Sequence, residues 1–137
     1  MSPPTETIRQ KIMLPAAPGV VHDILTDPAR LSEITGQAAD GKAGVGRRMT
    51  AGDGRIFILF LELDGNRSMV QEWSTSKWPA GVPPSRVEIT MRPIGQGTDL
   101  RLVQSGVPAE MLDEIEREWY DIFWNPIFEH LRSRALY

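Results

Sequence analysis

Met111, Leu112, Ile115, Trp119, Ile122, Phe123, Ile127 and Leu131 recur at intervals of three and four residues near the end of the chain. That spacing gathers them on one stripe and predicts a long amphipathic helix lying on a hydrophobic partner. Glu110, Asp113, Glu114, Glu116 and Glu118 crowd its start, while His130, Arg132 and Arg134 lie near its end, the charge order that the helix dipole favours. The segments before it alternate with the period of strands, so the partner is expected to be a sheet. A long helix embraced by a sheet suggests a container for an apolar ligand.

The strand pattern starts early. Ile8, Gln10 and Ile12 share one face of a first strand, with Arg9, Lys11 and Met13 on the other. Pro18 suits the first turn of a short helix bearing Val20, Val21, Ile24 and Leu25. Asp27 then caps a second short helix, with Pro28 at its first position, Leu31 and Ile34 on its apolar face, and Gly36 ending it. Residues 36–46 are rich in Gly and Ala and are expected to form a mobile loop. Five further strands follow over 47–51, 55–63, 67–76, 85–92 and 98–104. They are separated by turn chemistry at Gly52-Asp53-Gly54, Asp64-Gly65-Asn66, the 79–84 stretch and Gly95-Gln96-Gly97. Connections this short force antiparallel neighbours. The predicted fold class is α+β, with a curved antiparallel sheet of about six strands wrapped around the long C-terminal helix. Two short helices follow the first strand. One domain spans residues 1–137, and residues 1–5 are expected to be disordered.

Composition narrows the function classes. With 15 Lys and Arg against 18 Asp and Glu, the chain lacks the basic stripe that nucleic acid requires. Cysteine is absent, which excludes disulfides, thiolate metal sites and a cysteine nucleophile. The longest apolar run, residues 56–61, is far short of the roughly 20 residues of a membrane helix, so no membrane insertion is expected. The N-terminus has no basic region followed by an apolar stretch, so a cytoplasmic location is expected. His22 and His130 lack metal-ligand spacing, and no glycine-rich loop precedes a helix, so neither a metal nor a cofactor is expected.

Trp73, Trp119, Phe123 and Trp124 are the strongest cavity-lining candidates, because large rings make wide apolar walls and an indole N–H can anchor one polar atom of a guest. The plainer alternative is that they fill the core. Trp119 and Phe123, four apart, are expected inward, and Trp124 outward. Met91 and Ile127 complete the candidate wall. Gln71 and Gln104 share strand parity with Trp73 and with Leu100 and Leu102, so each is either a polar anchor for a guest or a partner for backbone groups. The 79–84 loop beside Trp78, together with residues 36–46, is expected to frame a pocket mouth. Glu62 shares a strand face with Ile56, Ile58 and Phe60, which makes it a weak catalytic candidate as an acid beside apolar surface, with Arg48 a lesser one. The 55–63 strand is apolar on both faces, with Phe57, Leu59, Leu61 and Leu63 opposite that set. The uncovered face predicts a homodimer.

Specific stretches add a resemblance. The residues Val20-Val21-His22-Asp23-Ile24-Leu25-Thr26-Asp27-Pro28, Val70-Gln71-Glu72-Trp73, Lys77-Trp78-Pro79, Gly97-Thr98-Asp99-Leu100, Gly106-Val107-Pro108-Ala109-Glu110 and Trp124-Asn125-Pro126 occur in that order. In this set the chain resembles the START-like, helix-grip superfamily. Within it, the chain is similar to the domain of activators of the heat-shock-protein-90 ATPase. It departs from that pattern at Arg47, Ile58 and Ser74, near strand positions that shape the cavity. The resemblance implies a module that binds a small apolar or amphipathic molecule without evident catalysis. An alternative in the same superfamily is an enzyme of the polyketide cyclase or aromatase type. A second alternative is a chaperone-associated stress-response protein. The co-chaperones in question carry a further N-terminal domain, which makes a chaperone partner the weaker expectation.

Overall fold

In a computed structural model, which describes residues 3–135, the chain builds one open antiparallel sheet with helices on its inner face. Strand β1 is Thr5–Leu14, and it is followed by α1 (Pro18–Thr26) and α2 (Pro28–Thr35). Then come β2 (Asp40–Gly41), β3 (Arg48–Ala51), β4 (Ile56–Asp64), β5 (Ser68–Thr75), β6 (Ser85–Ile94) and β7 (Gly97–Pro108). A 3-10 turn, Ala109–Met111, leads into α3 (Leu112–Glu118), a π turn (Trp119–Trp124) and α4 (Asn125–Ala135). The strand order is β1-β7-β6-β5-β4-β3-β2, so the meander from β2 to β7 is closed off by β1 pairing with β7. No helix among the described residues is long and apolar enough to cross a membrane.

Local chemistry explains the helix ends. The Asp27 carboxylate accepts from the backbone N–H groups of Ala29 (3.0 Å) and Arg30 (3.4 Å), and Pro28 occupies the first turn of α2, where no N–H is needed. Gly36 ends α2 in the left-handed region at φ 74° and donates its N–H to the Ser32 carbonyl.

Several expectations are corrected. The sheet has seven strands where about six are expected, because Asp40 and Gly41, expected within a loop, pair with Thr50 and Met49. A Cβ on Gly41 would lie 2.4 Å from the Arg48 carbonyl oxygen, so this edge closes only on glycine. Strand β7 runs to Pro108 instead of stopping near Gln104, because Thr5 and Glu6 pair with Pro108 and Val107. The expected disorder over residues 1–5 falls partly on residues 1–2, outside the described residues. Thr5 opens β1, and the Pro4 carbonyl accepts from Ala109 N–H at 3.0 Å.

The register of β4 carries the largest correction. Phe60 pairs with Gln71, yet Glu62 pairs with Val70, so Leu61 is an extra residue in a β-bulge. Beyond it the faces exchange: Leu63 packs on the core and Glu62 is exposed. Ile56, Ile58 and Phe60 remain inward, each at most 5% exposed.

Candidate functional site

The inner face of the sheet presents Gln10 from β1, Gln104 from β7, Met91 from β6, and Gln71 and Trp73 from β5, all buried. Against them lies the terminal helical segment. Ile115, Trp119, Phe123, Ile127 and Leu131 are each four residues apart and all at most 4% exposed. In a regular helix each four-residue step overshoots a turn by about 40°, so four such steps would carry Leu131 to nearly the opposite side from Ile115. The π turn at Trp119–Trp124 takes up this drift and keeps the stripe on the sheet. It also brings Ile122, Phe123 and Trp124 inward together. Trp124, expected outward, is 2% exposed.

The rings form one stack. Trp73 and Trp119 are stacked at a centroid distance of 5.4 Å, and Trp119 and Trp124 at 5.5 Å. Phe123 lies 4.9 Å from Trp119, and Trp78 meets Trp73 edge-on at 6.3 Å. Two of the indoles are tied to the sheet by glutamines. Trp119 Nε1 donates to Gln104 Oε1 at 2.8 Å, Gln104 Nε2 donates to Ser85 Oγ at 2.9 Å, and Ser85 Oγ donates to the Trp73 carbonyl at 2.6 Å. Trp124 Nε1 donates to Gln10 Oε1 at 2.8 Å, and Gln10 Nε2 donates to the Glu116 carbonyl at 3.1 Å. Each amide thus joins a strand to the helical segment while satisfying a buried indole. Gln71 and Trp73 differ: among the described residues Gln71 Nε2 reaches only Met69 Sδ at 3.4 Å, and neither Gln71 Oε1 nor Trp73 Nε1 has a partner.

The expected wall residues Trp73, Met91, Trp119, Phe123 and Ile127 therefore share one core with Gln71 and Gln104. Their side chains fill the interior by packing on one another. Of the five main clefts among the described residues, none is lined by Met91, Trp119, Phe123, Ile127, Gln71 or Gln104. Trp73 alone reaches one, a cleft of about 190 Å³ at β3, β4 and β5. The crevice between α3 and the β4–β5 end holds only about 10 Å³. Trp78, expected at a mouth, donates its Nε1 to the Pro83 carbonyl at 3.0 Å, which pins the 79–84 loop beside Trp73.

The weak catalytic candidates are not in this interior. Glu62 is exposed beyond the bulge, and Arg48 is exposed on the rim of the 190 Å³ cleft. The carboxyl that does border the inner crevice is Glu118, half-buried, with Glu114, Arg55 and Lys77 around the same opening. Burial raises the Glu118 carboxyl above its ordinary value, and the neighbouring Glu114 adds to that. In sequence Glu118 is one of five acids at a helix start, and nothing local singles it out. Gln10 and Ser85 were also missed, although Gln10 shares parity with Ile8 and Ile12, a polar residue on an apolar face. Among the described residues no group of three or more His, Asp or Glu side chains is arranged to hold a metal ion.

The profile of the family described as "Activator of Hsp90 ATPase homolog 1-like protein" matches residues 15–132. The chain belongs to this family. The "Activator of 90 kDa heat shock protein ATPase homolog" of Dictyostelium discoideum is 25% identical over 118 residues, which is 85% of this chain and 30% of the relative. The chain thus spans under a third of that relative's length. Among solved structures, an HSP90 activator from Plasmodium falciparum superposes with a TM-score of 0.79 at 20% identity, covering 95% of each chain. The Aha1 dimer from Colwellia psychrerythraea gives a TM-score of 0.77 at 15% identity, covering 92% of this chain and 96% of that one. At these identities the likeness shows the fold, and the fold is the helix-grip arrangement of an Hsp90-activator-like domain.

Proposed function

We propose that this Hsp90-activator-like domain is a binding module for a small amphipathic molecule, held between the terminal helical segment and β5. What carries the reading is the pair of unpartnered buried atoms, Gln71 Oε1 and Trp73 Nε1, set two residues apart on one strand face. Around them Gln10, Gln104, Ser85, Trp119 and Trp124 are all paired. An unsatisfied buried donor or acceptor costs about 1–3 kcal/mol, so a guest offering one hydroxyl recovers what the empty fold gives up. Gln71 Oε1 accepts a hydrogen bond from the guest's O–H, and the Trp73 indole N–H donates to the guest's oxygen. Because the rings fill the interior, entry requires the helical segment to part from β4 and β5 along the narrow crevice beside Glu118.

The test compares p-cresol with toluene by calorimetric titration. p-Cresol is expected to bind roughly tenfold more tightly, and Gln71→Leu or Trp73→Phe is expected to erase the difference. Equal affinity of the two probes for the unaltered protein ends the reading.

A second reading is association of two copies through the outer face of β4. Phe57 is 43% exposed there, and Leu59 is half-buried beside it. Leu59 lies between Arg48 on β3 and Glu72 on β5 in register. A two-fold axis along β4 sets Leu59 against its own copy and Arg48 of each subunit against Glu72 of the other, a self-complementary arrangement.

A further inference from the structure

A second opening, lined by no residue of β4 or β5, has a different chemistry. It is a groove of about 330 Å³ between the start of α1, α2 and the end of α4. That volume is at the lower end of the range for small-molecule sites. Its apolar lining comes from Pro15, Ala16, Val20 and Leu131, with Leu131 buried and Val20 38% exposed. Its polar lining is entirely basic or imidazole: Arg30, His130 and Arg134. The same three side chains border an adjoining cleft of about 60 Å³, where Glu33 and Ile34 complete the wall. Among the described residues neither Arg30 nor Arg134 forms an ion pair, with Glu33 or with any other carboxylate. The chain as a whole carries a net charge of −3, so this convergence runs against the overall balance.

We propose that this groove binds a small amphipathic anion, a monomeric carboxylate or phosphate on a short apolar chain. Two guanidinium groups present fixed donors that match a carboxylate or phosphate. The apolar body of the ligand covers Val20 and Leu131, and the imidazole of His130 adds a further polar contact. The tertiary fold creates the site, because Arg30 and Arg134 belong to helices a hundred residues apart in sequence and meet only where α4 ends over α2. The site is independent of the interior binding proposed above, since it shares no residue with the Gln71 and Trp73 pair.

The experiment titrates the full chain with sodium octanoate, followed by amide and indole NMR shifts, in parallel with 1-octanol and with phosphatidylglycerol vesicles. Octanoate is expected to saturate at one equivalent, shifting the amides of Val20, Arg30 and Leu131 and leaving the Trp119 and Trp124 indole signals in place. 1-Octanol is expected to bind at least tenfold more weakly at these amides. The Arg30→Gln/Arg134→Gln variant is expected to weaken octanoate roughly tenfold, and Arg30→Lys/Arg134→Lys to weaken it less. Trp73→Phe is expected to change nothing in this groove. The proposal is overturned by equal binding of octanol, or by unchanged octanoate affinity in the folded Gln variant. Shifts confined to the indoles, or a response to vesicles with none to monomeric octanoate, overturn it as well.

Discussion

At the scale of single residues, the buried amides decide how tightly the terminal segment is held. Gln104 links the Trp119 indole to Ser85, and its loss strands the buried indole N–H, while the Ser85 hydroxyl keeps its bond to the Trp73 carbonyl. Gln104→Leu is therefore expected to lower unfolding stability by about 1–3 kcal/mol in urea denaturation. Trp73→Phe removes an N–H that has no partner, so it forfeits ring area but no hydrogen bond. Glu118 makes the pH behaviour asymmetric. Its folded pKa lies above the ordinary 4.5, so its contribution to stability is fully present below that value and is lost as the pH rises through the folded one. Glu118→Gln should remove this loss. The variant is expected to gain on the unaltered protein as the pH rises from about 4.5 through the folded value, as checked by melting temperatures across a pH series. Parity in the strands made Trp73, Gln71 and Gln104 readable as inward residues. Whether an inward amide meets an indole, a hydroxyl or nothing depends on groups up to 114 residues away, which no local pattern encodes.

At the scale of elements, one device is concealed in the spacing itself. The four consecutive four-residue steps from Ile115 to Leu131 suit a helix only if one turn is wider than the rest, and the π turn supplies it. Tyr120 sits within that turn and is 38% exposed. Deleting it should convert the wide turn to a regular one while α3 and α4 keep their faces on the sheet. Deleting exposed Glu116, inside regular α3, should instead rotate Met111 and Ile115 by about 100° off the core. Urea midpoints are expected to fall much further for the Glu116 deletion, and equal losses would show that the π turn is not the phase correction. The β4 bulge is the sheet counterpart. Alternation from Ile56 assigned Glu62 to the inner face, and the extra residue at Leu61 reversed that assignment.

At the scale of the whole molecule, the outer surface and the interior make separate claims. If two copies meet through β4, Phe57→Asp should give a monomer in sedimentation at concentrations where the unaltered protein is dimeric, with the far-UV spectrum unchanged. A concentration-independent monomer mass for the unaltered protein removes the association outright.

The amino-acid order settled the main strands and helices, the caps at Asp27 and Gly36, the antiparallel meander and the family, because each rests on contacts a few residues apart or on ordered short stretches. Three-dimensional packing settled the rest: the exchange of faces beyond Phe60, the inward turn of Trp124, the closing of the interior by stacked rings, and the meeting of Arg30 with Arg134. Those outcomes depend on which strand or helix stands opposite, and a residue carries no mark of a neighbour that only folding brings to it.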